Sequence, residues 1–206
     1  MDKRPTAGII LAAGMSTRFG RLKQLLEIGD STILAMVIDA AVKSGLERIV
    51  AVLGHEADAV SASLGDRLMN SRISTAVNPR YHEGMSTSLK CGLMEVRDEF
   101  PSIMVMMGDQ PLLSHDVINL VLGSFRSSDK DICVPVCKGK RGLPACFTKR
   151  FYDGIMGITG DTGAREIIGK NPEDVLTVEV EDPTFFMDID DERDFEALKF
   201  LVKNRS

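Results

Sequence analysis

The feature that most constrains this chain is an alternation. A short apolar run of strand length is followed by a segment with helical apolar spacing, and the pair recurs four times. Ala7–Leu11 is the first run, and Thr32–Lys43 follows with apolar residues at Ile33, Met36, Val37, Ala40 and Ala41, with Gly45 as a helix stop. Arg48–Leu53 precedes a helix over Glu56–Leu64 that ends at Gly65, and Ile73–Val77, closed by Asn78-Pro79, precedes one over Ser86–Val96. Ile103–Met107 ends at Gly108-Asp109, after which Ser114 is placed to cap a helix running to about Phe125. Strands joined through helices by short connections need right-handed crossovers, so the pattern predicts a mainly parallel sheet with helices on both faces. Beyond Asp131–Val136 the pattern loosens. Short strands are expected at Pro144–Phe147, Val175–Val180 and Phe185–Met187, and a last helix at Asp191–Lys203. With no internal repeat, linker or break in composition, one domain over residues 1–206 is expected.

Several classes of function are disfavoured at once. The longest apolar stretches are strand-sized, so no membrane partner is expected. The first residues lead directly into a strand without the apolar region of a signal peptide, which reads as a cytoplasmic protein. A net charge of −5 argues against nucleic acid, because polyanion binding rests on cations that neutralise phosphates. Cys91, Cys133, Cys137 and Cys146 form no C-x-x-C pair and read as buried free thiols. His55, His82 and His115 are far apart and form no local metal-ligand pair; His55 is left outside the catalytic set.

In such a sheet ligands bind beyond the carboxyl ends of the strands. The loop after the first strand runs from Leu11, Ala12, Ala13 and Gly14 through Ser16, Arg18 and Lys23. Small residues let the backbone approach a ligand, successive N–H groups can cradle phosphate oxygens, and Arg18 and Lys23 add full positive charges. The loop carries neither G-x-G-x-x-G nor G-x-x-x-x-G-K-[ST], which counts against a nicotinamide-dependent reductase and a P-loop NTPase. Asp109, at a strand's carboxyl end beside a glycine, suits a Mg²⁺ that bridges phosphate oxygens. Asp188, in Met187-Asp188-Ile189-Asp190-Asp191, is the candidate second carboxylate, with Asp190 or Asp191 capping the last helix. The Ser/Thr-rich helix start at Gly84–Ser88 offers N–H groups and hydroxyls to a ligand. Lys138–Pro144 has the composition of a solvated basic hairpin.

The stretch Leu11-Ala12-Ala13-Gly14, then Ser16 and Arg18, then Gly20 and Lys23, closely resembles the opening of the MobA-like nucleotidyltransferases. The Ala-Ala-Gly form followed by Lys23-Gln24-Leu25-Leu26 is most similar to the molybdenum cofactor cytidylyltransferase branch. The resemblance implies a Rossmann-like three-layer nucleotidyltransferase (GT-A-like) fold with a mostly parallel mixed sheet. It implies that the backbone around Gly14 and the side chain of Arg18 hold the triphosphate, that Lys23 supports the α-phosphate, and that Asp109 is the principal Mg²⁺ ligand. Gly84–Leu93 is similar to the branch's base-binding segment, which implies Met85 over the base and polar contacts from Ser86 and Ser88. Arg141-Gly142 and Gly160-Asp161-Thr162-Gly163-Ala164-Arg165 resemble the family's acceptor-side segments, with Arg165 suited to a terminal phosphate. Two departures stand out: Leu143 replaces the usual histidine, and Asp191-Glu192-Arg193 replaces Thr-Pro-Glu.

The implied reaction is attack by a phosphate oxygen of molybdopterin on the α-phosphorus of CTP, with Mg²⁺ as cofactor. It yields molybdopterin cytosine dinucleotide and pyrophosphate, and a molybdenum hydroxylase is the implied downstream partner. The alternatives are a transferase using GTP or another phosphorylated acceptor, and a non-catalytic protein that delivers the molybdenum cofactor.

Overall fold

The first strand, β1 (Thr6–Ala12), is buried at every residue, so it sits inside the sheet rather than at an edge. A strand covered on both faces must be apolar at consecutive positions, which is how TAGIILA reads. The computed structural model describes residues 4–16 and 19–205. After β1, a small ribbon of β2 (Glu27–Ile28) and β3 (Ser31–Thr32) leads into α1 (Ile33–Lys43). Then come β4 (Arg48–Leu53), α2 (Ala57–Leu64), β5 (Ile73–Val77), α3 (Met85–Met94), β6 (Ser102–Met107) and α4 (His115–Ser127). The distal part contains β7 (Ile132–Cys137), β8 (Lys140–Arg141), β9 (Ala145–Thr148), α5 (Tyr152–Gly157), α6 (Arg165–Lys170), β10 (Val175–Glu179) and α7 (Glu192–Arg205).

The main sheet has the order β10-β7-β9-β6-β1-β4-β5, with β8 pairing β7. β1 runs parallel to β4, with Ala7 opposite Arg48, and to β6, with Thr6 opposite Ser102. β4–β5 and β7–β10 are also parallel, whereas β9 runs antiparallel to both β6 and β7. The result is a three-layer α/β fold with a mostly parallel mixed sheet. Strand alternation separates the two cores: Ile10 and Ala12 face α1, α2 and α4, while Ala7, Ile9 and Leu11 face α3, α5 and α6. A third apolar cluster joins Leu26, Ile28, Ile33 and Leu112 to Ile189, Phe195 and Leu198, and so fastens the last helix beside the loop after β1. Among the described residues no helix is long and apolar enough to cross a membrane.

Local chemistry accounts for the element ends. Thr32 caps α1 by accepting from Ala35 N–H at 3.3 Å, and Ser114 caps α4 by accepting from Val117 N–H at 3.3 Å. α1 stops just before Gly45, where the Ser44 hydroxyl donates to the Ala41 carbonyl at 2.6 Å. The strand expected at Phe185–Met187 is instead a 3-10 turn over Pro183–Phe186. Pro183 has no N–H for a ladder, and Asp182 accepts from Thr184 N–H at 2.9 Å, which winds the chain before Phe185 can extend. The four cysteines are free thiols; Cys133, Cys137 and Cys146 are buried, Cys91 half-buried, and burial pushes the Cys133 thiol up to about 12.

α3 lies unusually close to the sheet. A Cβ on Gly92 would sit 2.5 Å from Ile9 Cγ2 and 2.8 Å from Val52 Cγ2, whereas one on Gly123 of α4 would meet nothing within 4 Å. Alanine favours a helix over glycine by about 1 kcal/mol, and overpacking a core costs roughly 1–3 kcal/mol. The two substitutions should therefore differ in sign. Gly123→Ala is expected to raise the urea midpoint and Gly92→Ala to lower it; equal shifts would contradict this packing.

Candidate active site

The carboxyl ends of β1, β4, β5, β6 and β7 lie along one edge of the sheet, and Asp109 stands there at the end of β6. Gly108 N–H donates to the Leu11 carbonyl at 2.9 Å, holding the turn after β6 against the end of β1. A Cβ at Gly108 would lie 2.8 Å from Ala12 Cβ, so only glycine permits that approach. The Asp109 carbonyl accepts from Ile189 N–H at 3.1 Å, and its Oδ2 accepts from Lys23 Nζ at 2.5 Å. Lys23 also reaches Asp190 Oδ1 at 3.3 Å. Burial alone would push the Lys23 ammonium down, but Asp109, and then Asp190, hold it above the ordinary lysine value, so it is a cation at neutral pH.

Asp188 shows the complementary effect. Gln110 Nε2 donates to its Oδ1 at 2.8 Å, yet burial of the carboxyl, then the nearby Asp109 and, more weakly, Asp190, hold its pKa above the ordinary aspartate value. By surface area the residue as a whole is nonetheless exposed, so the burial falls on part of the carboxyl and not on all of the side chain. Among the described residues, Asp109 Oδ1 and Gln110 Oε1 are buried without a hydrogen-bond partner. An orphaned carboxylate oxygen beside a second carboxylate with a raised pKa fits a divalent cation, which would satisfy the first and relieve the second. Among the described residues no group of three or more His, Cys, Asp or Glu side chains is placed to hold a metal. Oxygen ligands from phosphates and water would have to complete the shell, as is usual for Mg²⁺.

The expected residues fall into three groups. Lys23, Asp109 and Asp188 come together as described, and Asp190, expected only as a possible helix cap, joins them through Lys23. The cap belongs to Asp191, whose Oδ1 accepts from Asp194 N–H at 3.1 Å while Asp194 Oδ2 accepts from Asp191 N–H at 3.1 Å. Leu11, Ala12 and Ala13 are buried, while Gly14 is exposed and a Cβ there would meet no protein atom within 4 Å. Left-handed backbone occurs not at Gly14 but at Ser16, with φ 53°. Arg18 lies outside the described residues.

The helix start at Gly84–Ser88 differs from expectation. Its N–H groups are already engaged: Met85 N–H donates to Asp161 Oδ1 at 3.0 Å, Ser86 N–H to the Gly160 carbonyl at 3.1 Å and Thr87 N–H to the Gly84 carbonyl at 3.1 Å. Ser86 and Ser88 are buried, and Ser88 Oγ accepts from Asn78 Nδ2 at 3.0 Å. Half-buried Met85 packs near Gly163, where an added Cβ would lie 2.9 Å from its sulfur. The segments expected on opposite sides of the cleft are thus joined to each other. Arg141 and Arg165 are exposed, Lys140-Arg141 forms the hairpin strand β8, and Gly142 lies flat against Phe186, whose ring an added Cβ would penetrate at 1.9 Å. His55 N–H donates to the Ala13 carbonyl at 3.4 Å, and its Nδ1 lies 3.4 Å from the Tyr81 hydroxyl. Gln24, Gln110 and Asn78 were given no site role from the sequence, and Asp161 was named only within the acceptor-side segment. Polar residues next to a motif were the available signal, but what each one bonds to is a matter of the fold.

A parallel sheet whose carboxyl edge presents this lysine–carboxylate centre is the framework of the nucleotidyltransferases. The match to the MobA-like NTP transferase domain extends over residues 8–175, and the chain belongs to that family. It is 30% identical over 195 residues to the molybdenum cofactor cytidylyltransferase of Escherichia coli (strain K12), covering 93% of this chain and 94% of that protein. It is also 30% identical to the bifunctional protein GlmU of Sorangium cellulosum (strain So ce56), over 63% of this chain but only 28% of that longer protein. Among solved structures, Rv0371c from Mycobacterium tuberculosis H37Rv superposes with a TM-score of 0.84 at 25% identity, covering 97% of this chain and all of that one. A manganese complex of Rv0371c superposes at 0.78, covering 95% and 98% of the two chains, again at 25% identity.

The Lys23–Asp109 pair is largely shielded, with side-chain exposures of 15% and 10%. Removing one partner of such a pair leaves an uncompensated charge and typically costs about 3–5 kcal/mol, whereas removing both is far less costly. Lys23→Met should therefore lower the unfolding free energy by about 3 kcal/mol, and adding Asp109→Asn should restore most of it. A double variant no more stable than Lys23→Met would show that the pair is not coupled.

Proposed function

We propose that this chain transfers CMP from CTP to the terminal phosphate of molybdopterin and releases pyrophosphate, with Mg²⁺ as cofactor. The observation that carries nucleotidyl transfer is the Lys23–Asp109 centre, with its buried, unpartnered Asp109 oxygen, at the carboxyl edge of the sheet. Choice of substrates is supported by similarity that runs nearly end to end with the Escherichia coli cytidylyltransferase. Similarity to GlmU stops at about a quarter of that protein.

In the reaction an acceptor phosphate oxygen forms a bond to the α-phosphorus, the bond from that phosphorus to the bridging oxygen breaks, and pyrophosphate leaves. An acceptor phosphate is already ionised at neutral pH, so no protein base is required. The task is positioning and charge neutralisation. Asp109 and Asp188 would hold Mg²⁺, with Gln110 orienting Asp188; when bound, the cation neutralises triphosphate oxygens. The turn at Ala12, Ala13, Gly14 and Ser16 and the side chain of Arg18 hold the triphosphate. Lys23 moves from Asp109 towards the α-phosphate and stabilises the charge that builds there. Met85 supplies apolar surface to the base, in a wall that also contains Gly84, Ser86 and Ser88. Arg141, Gly142 and Arg165 receive the acceptor.

With molybdopterin and Mg²⁺ present, CTP should give pyrophosphate, and Asp109→Ala should abolish its release. Lys23→Ala should lower kcat by roughly 10²–10³-fold, the scale of losing one transition-state donor. Release with GTP alone would reassign the nucleotide. No release from folded protein that binds molybdopterin would favour the delivery reading.

Metal titration without nucleotide gives a separate check. Since Lys23 neutralises Asp109 in the free protein, Lys23→Met should bind Mn²⁺ more tightly than the wild type even though it turns over slowly. A raised Asp188 pKa means that protons compete with the cation above the usual aspartate range, so Mn²⁺ affinity should fall as pH is lowered through that region. Weaker Mn²⁺ binding by Lys23→Met would contradict the counter-ion role.

A further inference from the structure

We infer that Gln24 is a positioning residue for the triphosphate: its buried amide sets the orientation of the peptide groups in the turn after β1. The inference rests on the nucleoside triphosphate reading above and adds a residue to it. Gln24 follows Lys23 in the short 3-10 turn Lys23–Leu25 and is only 3% exposed. A side chain with two donor hydrogens and an acceptor oxygen is costly to bury unless each is used.

Here all are used, and on a single loop. Nε2 donates to the Ala12 carbonyl at 3.0 Å and to the Gly14 carbonyl at 3.0 Å, while Oε1 accepts from the Ser16 hydroxyl at 3.3 Å. Ser16 Oγ in turn accepts from Lys23 N–H at 3.0 Å, closing the ring back onto the catalytic lysine. The intervening Ala13 carbonyl is taken by His55 N–H at 3.4 Å. Three successive carbonyls are therefore tied to protein donors.

That fixes the donors as well. In a trans peptide the N–H is antiparallel to the preceding C=O. Anchoring the carbonyls of Ala12, Ala13 and Gly14 turns the N–H groups of Ala13, Gly14 and Met15 away from those anchors. Gly14 and Met15 N–H donate to no acceptor among the described residues. The space over Gly14 is open, Met15 is exposed, and Ser16 at φ 53° reverses the backbone. Unsatisfied N–H groups on an open turn of this shape form a concavity for anionic oxygens. Gln24 touches neither nucleotide nor metal; it acts by holding that turn, and with it Lys23, in a receptive geometry before the ligand arrives.

The test compares wild type with Gln24→Leu, similar in volume and without the polar atoms, using CTP and inorganic tripolyphosphate as probes in calorimetry and pyrophosphate release as the rate. Gln24→Leu should weaken both probes by at least tenfold and raise KM for CTP by a similar factor. KM for the acceptor should stay within about twofold, a split that general destabilisation would not produce. If Gln24→Leu does not fold, Ser16→Ala serves instead; it removes one bond to the Gln24 oxygen and one from Lys23 N–H, and it should raise KM for CTP several-fold. Wild-type affinity for both probes in the folded variant would overturn the positioning role and leave the nucleotide reading intact. A wild-type protein that binds neither probe would overturn both.

Discussion

Asp109 is the point on which the rest of the site depends. Its main chain accepts from Ile189, its side chain binds Lys23, and the glycine before it is pinned to the end of β1. Two segments distant in sequence thereby bond to Asp109 itself, and the end of β1 bonds to the glycine before it. The electrostatics follow from that meeting. A carboxylate buried this far needs a cation, and in the free protein Lys23 supplies it. One oxygen has no partner among the described residues, and Asp188 carries a raised pKa beside it. The centre therefore carries more acid than its one lysine balances.

The apolar frame makes the meeting possible. Ile189 is fully buried in the cluster that joins α7 to Leu26, Ile28 and Leu112, and its flanking aspartates are thereby turned towards the cleft. The closing capping box of Asp191 and Asp194 starts α7 at the position that keeps Ile189 in place. On the opposite side, close glycine contacts bring the loops together. A Cβ at Gly54 would lie 2.7 Å from the Ala13 carbonyl oxygen, and one at Gly84 would lie 2.7 Å from the Gly160 carbonyl. The second of these contacts, with the bond from Met85 N–H to Asp161, makes the loops at Gly84 and Gly160 one piece of structure.

Much of this was legible in the residues. The strand–helix alternation gave the boundaries of β4 and β5 and the order of the four strand–helix pairs from β1 to α4, though not the β2–β3 ribbon, because burial on both faces of a parallel strand leaves a continuous apolar run. Lys23 could be singled out by its place in a small-residue loop that resembles the family's opening, Asp109 by its position beside a glycine at the end of an apolar strand, and Asp188 as the second carboxylate a Mg²⁺ would need. Other features were hidden for physical reasons. Pro183 and Asp182 wind a segment whose aromatic residues read as a strand. Ser86 and Ser88 look available in sequence, yet the first is buried and the second is bonded to Asn78. Gln24 stood out only as part of the Lys23–Leu26 resemblance and Gln110 only as the neighbour of Asp109; being uncharged, neither was marked as a group that orients a loop or a carboxylate.

The sequence by itself determined the class of fold, the edge of the sheet where the lysine and carboxylates lie and the kinds of charge gathered there. Those properties depend on periodicity and local chemistry, which act over a few residues. Only the tertiary structure decided which carboxylate faces Lys23, which aspartate caps the last helix, and that the helix-start N–H groups of Met85 and Ser86 are spent on the loop at Gly160-Asp161. These are pairings between residues tens of positions apart, chosen by where the packed layers bring them. A buried polar group must find a partner, but its own sequence neighbourhood does not say which one.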